Sequence, residues 1–240
     1  MHPSARPVYY AVVLAWYVFF FYTSGYVLGN VHKSPRPPGS FNPFWGSQWK
    51  YLSFLNVVLQ VIFYAVSLLT SAVMLMKKER IATTLISLKG LIFSSLVFPL
   101  SSFVFVTFWS IYFYDRELIY PKYLDPIIPE WINHGMHTLI LPLTLVEILV
   151  THHQYPSVCK SLIIFGMVAL AYQLWILYLF AKTGKWLYPL FKFLSPLGII
   201  VFLGIVVVSV FFYYILGRFL NCLIWGNEVP ALDVDKKKHK

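Results

Sequence analysis

The chain has 240 residues, of which 59% are hydrophobic, 19% are aromatic and only 12% are charged. This composition excludes a soluble globular surface and indicates an integral membrane protein. The formal net charge of +10 does not predict nucleic-acid binding, because the lysines and arginines are scattered through short loops and gather only at the C-terminus.

Six apolar runs are long enough to cross a bilayer, since about 18 consecutive apolar residues suffice for a spanning helix. The runs cover approximately residues 8–29, 51–76, 83–113, 131–151, 161–180 and 193–216. The third run contains Lys89 and Pro99 but is too short for two spans and a turn, so it predicts one kinked or tilted helix. Lys89 is near enough to its end to snorkel.

The predicted fold is therefore all-α, an integral membrane bundle of six transmembrane helices. Residues 1–240 form a single membrane domain, of which residues 217–240 are a basic cytoplasmic tail. A slight excess of basic residues on one face favours both termini in the cytoplasm.

The last four residues, Lys237-Lys238-His239-Lys240, resemble the C-terminal dilysine retrieval signal of endoplasmic reticulum membrane proteins. That signal works only from the cytoplasm, which agrees with the predicted topology. The alternative is a solvated basic tail near anionic lipid. The expected location is the endoplasmic reticulum membrane or the cell membrane.

The second run carries a polar stripe with helical spacing. Its members are Lys50, Ser53, Asn56, Gln60, Tyr64 and Ser67. In lipid such a stripe should face the protein interior, where it either bonds neighbouring helices or lines a cavity. For any one of these residues taken alone, helix-to-helix bonding is the commoner role.

The octapeptide 131–138, which reads WINHGMHT, begins the fourth run and carries two histidines. Ionisable groups in membrane spans are costly and are candidates for function. His134 and His137 are three residues apart, so on a helix they share a face.

Ser53 and His137 are predicted to lie at similar depths. Ser53 follows Trp49 by four residues and His137 follows Trp131 by six, so at about 1.5 Å per residue both lie just below aromatic markers on the same face of the membrane. A hydroxyl beside an imidazole is the minimum for nucleophilic catalysis. The sequence predicts Ser53 as nucleophile and His137 as general base and acid.

A third group that orients the histidine is expected. The candidates are Asn133, His134, Asp115, Asp125 and Glu147. His134 and Asn133 are ranked first, with Asn56 and Lys50 as further neighbours of the site. Glu147 is ten residues from His137, so on a helix it points away from the face that carries His137. It is assigned a structural role.

Other catalytic signatures are missing from the sequence. It has no GxSxG elbow, no HExxH or phosphate-binding loop and no Cys/His cluster. His134 and His137 are candidate metal ligands together with Glu147, but no third ligand at suitable spacing is evident, so neither a metal nor another cofactor is expected. His152 and His153 are predicted to be a solvated pair in a loop.

Five separated motifs resemble one known family. They are Trp49-Lys50-Tyr51-Leu52-Ser53, residues 114–122 (YDRELIYPK), residues 131–138 (WINHGMHT), residues 153–157 (HQYPS) and residues 183–189 (TGKWLYP). The sequence is similar over most of its length to the androgen-induced protein and the androgen-dependent regulator of tissue factor pathway inhibitor (TFPI), and the regulator branch looks closer. These are multi-pass membrane hydrolases of fatty acid esters of hydroxy fatty acids.

The resemblance implies a catalytic threonine and histidine, which map to Ser53 and His137. Ser53 departs from the family's threonine but keeps a β-hydroxyl. The family's Arg-Asp pair in the third span is Lys89-Gly90 here, and Arg218 replaces a glutamate. Neither change touches the predicted pair.

The candidate Ser53–His137 pair together with the resemblance implies a membrane lipid esterase that hydrolyses fatty acid esters of hydroxy fatty acids, with the ester arriving from the bilayer. The alternative is a non-catalytic multi-pass regulator that acts through protein partners. A transporter is disfavoured, because no matching pair of Gly- or Pro-broken spans relates the two halves.

Overall fold

The computed structural model describes residues 5–30 and 48–226, and this part of the chain is helical with no strand. The helices are α1 (Arg6–Asn30), α2 (Leu52–Leu75), α3 (Glu79–Ile92), α4 (Phe98–Asp115), α5 (Glu130–His137), α6 (Ile140–Val150), α7 (Val158–Thr183) and α8 (Pro196–Trp225). Short 3-10 turns cover Arg116–Leu118, Lys122–Leu124 and Pro189–Lys192. The C-terminal dilysine sequence lies outside the described residues.

The predicted fold class is confirmed. Five segments of the described chain are long and apolar enough to cross a membrane, and there are six if α5 and α6, which meet at 41°, count as one bent span. Helix α8 runs to Trp225 instead of ending near residue 216, because apolar residues continue past Arg218.

The third span is one long segment, Glu79–Leu118, as the third run predicts. A π-helical turn at Phe93–Val97 joins α3 to α4. Pro99 explains this turn, because it has no N–H to donate to the carbonyl of Ser95, four residues earlier. The spans of the described chain differ in how many residues are buried in their most apolar 18-residue stretch. The share is largest for this span, at 67%, against 17% for α7 and 11% for α8.

Helix α4 is therefore central, and its neighbours include α2, α5, α6 and α8. Helix α1 packs along α2. The exposed surfaces of α7 and α8 are rich in leucine, isoleucine, valine and phenylalanine, as expected for side chains that face lipid.

The polar stripe of α2 faces the protein interior, as predicted. Asn56, Gln60, Tyr64 and Ser67 are all buried. The Gln60 amide donates to the Ser101 hydroxyl on α4 at 2.7 Å, and the Asn56 amide reaches the same oxygen at 3.4 Å. Asn56 and Gln60 therefore join α2 to α4, whereas the Ser67 hydroxyl donates to the Phe63 carbonyl within α2.

A buried charged cluster lies near the end of the bundle where α1 begins. Lys89 Nζ is 2.9 Å from Glu147 Oε1, and both side chains are almost fully buried. The snorkelling prediction for Lys89 is wrong, because its ammonium group turns inward to a carboxylate on α6. The Tyr10 hydroxyl also donates to Glu147 Oε1, at 3.2 Å.

His153 belongs to the same cluster, so the prediction of a solvated histidine pair is wrong for this residue. It is 2% exposed, and its ring stacks on Phe93 with centroids 3.7 Å apart. Its Nε2 lies 3.3 Å from Glu147 Oε1. Its backbone N–H donates to Asn221 Oδ1 at 3.0 Å, and its carbonyl accepts from the Asn221 amide at 3.2 Å. Burial lowers the pKa of His153 to about 4.

Candidate functional site

A mainly apolar cavity of about 230 Å³ lies at the opposite end of the bundle from the charged cluster. Helices α2, α4, α5, α7 and α8 contribute to its wall, and segments 118–128 and 187–191 close it. Ser53 and His137 both line it. The structure thus brings the two predicted catalytic residues to one cavity.

Ser53 is the second residue of α2 and is half-buried. The preceding backbone is extended at Tyr51, with φ −93° and ψ 134°, and the helix starts directly after it. N–H groups in the first turn of a helix lack acceptors within the helix, and this end carries a partial positive charge. Ser53 therefore lies where negative charge is stabilised.

Two tyrosines from distant segments hold the start of α2. The backbone N–H of Leu52 donates to the Tyr172 hydroxyl at 2.9 Å and reaches the Tyr188 hydroxyl at 3.3 Å. The two hydroxyls are 2.7 Å apart, and Tyr172 also donates to the Lys50 carbonyl at 3.1 Å.

Sequence reasoning missed both tyrosines as site residues. Tyr188 lies within a quoted family motif, residues 183–189, which gave the only signal. Tyr172 lies within α7 and is separated from Leu52 by 120 positions. It lies near the middle of the predicted span 161–180, where a hydroxyl needs a partner inside the protein, but the local pattern does not indicate which one.

His137 ends α5 and is 8% exposed. Its ring stacks on Phe108 of α4, with centroids 3.6 Å apart and planes 9° apart. Its Nδ1 is 2.9 Å from the Asn133 side-chain oxygen and 3.1 Å from the Asn133 carbonyl oxygen. Because a carbonyl can only accept, Nδ1 carries the proton in the neutral ring, and Nε2 on the opposite edge holds the lone pair.

His134 does not join His137, although both belong to α5. Its Nδ1 is 2.9 Å from the Thr138 hydroxyl, and its ring stacks on Trp109 at 5.5 Å. The side chain is 44% exposed, with Nε2 3.7 Å from a Glu130 oxygen. His134 is absent from the cavity wall.

The remaining predicted neighbours do not line the cavity either. Asn56 is directed to Ser101, and Lys50 contributes its backbone carbonyl to Tyr172. Of the ranked neighbours, only Asn133 bonds to the His137 ring.

Metal binding by His134, His137 and Glu147 does not fit the structure. The two histidine rings have separate partners, and Glu147 pairs with Lys89 in the charged cluster. Within residues 5–30 and 48–226, no group of three or more histidine, cysteine or acidic side chains is arranged to hold a metal ion.

The arrangement provides a hydroxyl at a helix N-terminus and a neutral imidazole in one apolar cavity. The imidazole is fixed by a stacked ring and two oxygen acceptors. A hydroxyl and an imidazole are the two groups that nucleophilic attack on a carbonyl carbon requires.

Comparison with known proteins agrees with the family indicated by the motifs. The family model described as FAR-17a/AIG1-like protein matches residues 5–222. The chain is 40% identical over 227 residues to a human protein named androgen-dependent TFPI-regulating protein, covering 95% of this chain and 96% of that one. It is 39% identical over 203 residues to the human androgen-induced gene 1 protein, covering 82% and 85%.

A more distant relative is a UPF0641 membrane protein of Schizosaccharomyces pombe, 27% identical over 189 residues, covering 78% of this chain and 80% of that one. No solved structure matches the chain.

Proposed function

Because the chain belongs to the FAR-17a/AIG1-like protein family, we propose that it is an integral-membrane lipid esterase. It hydrolyses fatty acid esters of hydroxy fatty acids with Ser53 as nucleophile and His137 as general base and acid. The observation that carries this proposal is that Ser53 and His137 line one apolar cavity.

The apolar wall of the cavity supports a lipid substrate. Such a wall suits long acyl chains, whereas a small polar ester would gain little from it. The substrate comes from the bilayer, since a water-insoluble ester partitions there. No cofactor is required for this chemistry.

In the first half of the reaction, Ser53 Oγ attacks the ester carbonyl carbon while its proton passes to His137 Nε2. The tetrahedral intermediate collapses as the carbon–oxygen bond to the hydroxy fatty acid breaks. His137 returns the proton to that leaving oxygen. The products of this half are a free hydroxy fatty acid and an acyl group on Ser53.

In the second half, water attacks the acyl carbon and gives a proton to His137. The bond to Ser53 Oγ then breaks, the proton returns to Ser53, and the fatty acid leaves. Asn133 holds the His137 Nδ1–H throughout, so Nε2 is available at each transfer.

The test is hydrolysis of a branched fatty acid ester by purified protein in detergent or vesicles, together with labelling by a fluorophosphonate probe. Ser53→Ala and His137→Ala should each lower turnover by at least about 10³-fold, and Ser53→Ala should abolish labelling. Ser209→Ala is a matched control, because the Ser209 hydroxyl donates to the Ile205 carbonyl within α8 and the residue does not line the cavity.

A non-catalytic regulator is the competing function, prompted by the printed name of the TFPI-regulating relative. Wild-type protein that neither hydrolyses the ester nor reacts with the probe would favour it. Equal turnover by the wild type and the two alanine variants would refute the proposed mechanism.

A further inference from the structure

The chemistry proposed for Ser53 requires a hydrogen-bond donor that the dyad does not supply. Attack on an ester carbonyl creates a negatively charged oxygen, and donors that face this oxygen are among the largest contributors to catalysis. The nearby Leu52 N–H is already bound, because it donates to the Tyr172 hydroxyl at 2.9 Å. A side-chain donor near the start of α2 would act on this oxygen together with the remaining N–H groups of the first helical turn.

The Tyr172 and Tyr188 hydroxyls hold two protons that can be arranged in two ways. In the first arrangement Tyr172 donates to the Lys50 carbonyl at 3.1 Å, and Tyr188 donates to Tyr172 at 2.7 Å. In the second, Tyr172 donates to Tyr188, and the Tyr188 proton is released for another acceptor. Hydroxyl protons rotate at small cost, so both arrangements are accessible.

Tyr188 is the tyrosine of this pair whose proton is available to an acceptor in the cavity. Both tyrosines line the cavity and both are half-buried. Tyr172 has contacts with the Leu52 N–H and the Lys50 carbonyl, whereas Tyr188 is only at the edge of bonding distance from Leu52, at 3.3 Å. Tyr188 is thus the member of the pair that can turn its proton toward a ligand.

Neighbouring rings hold Tyr188 in place. Its ring packs edge-on against Tyr51 at 5.9 Å and Phe191 at 6.3 Å, and Pro189 follows it directly. Burial raises the pKa of Tyr188, so the phenol keeps its proton at neutral pH and remains a donor. Because the ring is already held, only the O–H bond has to rotate when charge develops on the ester oxygen.

We propose that the Tyr188 hydroxyl donates a hydrogen bond to the carbonyl oxygen of the bound ester and to the oxyanion formed when Ser53 attacks it. This inference rests on the proposed function. Tyr172 is a positioning residue. Its hydroxyl accepts from the Leu52 N–H, and it either accepts from the Tyr188 hydroxyl or donates to it. No proton is transferred to the oxyanion; only the hydrogen bonds are exchanged.

The test compares two single-hydroxyl deletions in the full-length protein. Tyr188→Phe should lower kcat about 10²-fold with little change in KM, as expected for a lost oxyanion donor. Tyr172→Phe leaves the Tyr188 hydroxyl in place and should lower kcat by less than about tenfold. Tyr178→Phe is a control on the exposed surface of α7 and should match the wild type.

A second measurement separates oxyanion binding from folding. A trifluoromethyl ketone with a long acyl chain forms a tetrahedral adduct with the nucleophile, whereas a free fatty acid does not. Tyr188→Phe should weaken binding of the ketone about 10²-fold and leave fatty acid binding and the thermal unfolding midpoint unchanged.

Wild-type kcat in Tyr188→Phe would overturn the inference. So would equal losses of kcat and thermal stability in both tyrosine variants, because a mere clamp on Leu52 predicts that result. If either of these results is found while Ser53→Ala and His137→Ala are inactive in the same assay, only the role proposed for Tyr188 is refuted. If they are as active as the wild type, the proposed function fails with it.

Discussion

Lys89 Nζ and Glu147 Oε1 lie 2.9 Å apart in the buried part of the bundle, and they join α3 to α6. The Tyr10 hydroxyl, on α1, donates a hydrogen bond to the same carboxylate oxygen. Three segments that are distant in sequence therefore share one charged cluster, which lies away from the cavity of Ser53 and His137.

Lys89→Met should be strongly destabilising, because it leaves the Glu147 carboxylate buried without its cation. Removing one partner of a buried ion pair costs about 3–5 kcal/mol. The double variant Lys89→Met/Glu147→Gln should recover much of the loss, since neither charge remains. Thermal unfolding in detergent measures this, and Lys182→Met on the exposed surface of α7 is the control. Equal stability of the single variant and the wild type would contradict a structural role for the pair.

Asn133→Ala should lower kcat by about tenfold, a loss typical of a group that orients a catalytic side chain. The loss is smaller than that of His137→Ala, because the backbone carbonyl of residue 133 still accepts from His137 Nδ1 at 3.1 Å. Initial rates of ester hydrolysis measure both. An Asn133→Ala variant as inactive as His137→Ala would mean that the carbonyl alone cannot hold the ring.

Ser53→Thr should keep turnover within about tenfold of the wild type, because the β-hydroxyl remains and the side chain lines the cavity, where there is room for one methyl group. Ser53→Val has nearly the shape of threonine without the hydroxyl and should be inactive. Fluorophosphonate labelling of the wild type and the two variants shows whether the hydroxyl or only the size of the side chain is needed. Labelling of Ser53→Val at the wild-type rate would assign the nucleophile to another residue.

Gly135→Ala should destabilise the contact between α5 and α1. A Cβ at this position would lie 2.1 Å from Cε2 of Phe20, and overpacking of this kind costs about 1–3 kcal/mol. Gly166→Ala is the matched control, because nothing lies within 4 Å of its added Cβ. The thermal midpoint should fall for Gly135→Ala and not for Gly166→Ala. Adding Phe20→Leu should restore part of it, and additive losses would argue against the contact.

His153 should make stability depend on pH. Its pKa is lowered from 6.5 to about 4 by burial, so the unfolded chain binds a proton at a higher pH than the folded protein does. The contribution of the neutral ring is fully present above about pH 6.5 and is lost as the pH falls toward about 4. The thermal midpoint of the wild type should therefore fall more steeply over this range than that of His153→Phe. Parallel slopes would show that His153 does not titrate as described.

The sequence alone was sufficient for the helical class, the positions of the apolar segments and the inward face of the polar stripe on α2. These features depend on the length and period of local patterns, which a membrane enforces because backbone groups must bond within each helix. Ser53 and His137 could be selected in the same way, since depth along a helix follows from residue number.

Only the tertiary structure determined which helices are neighbours. It pairs Lys89 with Glu147, buries His153 beside them and brings Tyr172 and Tyr188 to the start of α2. These contacts join positions far apart in the chain, and several helix arrangements would satisfy the same apolar patterns. The packing of specific side chains selects one arrangement. For this reason Tyr172 and Tyr188 could not be assigned to the surroundings of Ser53 from the sequence.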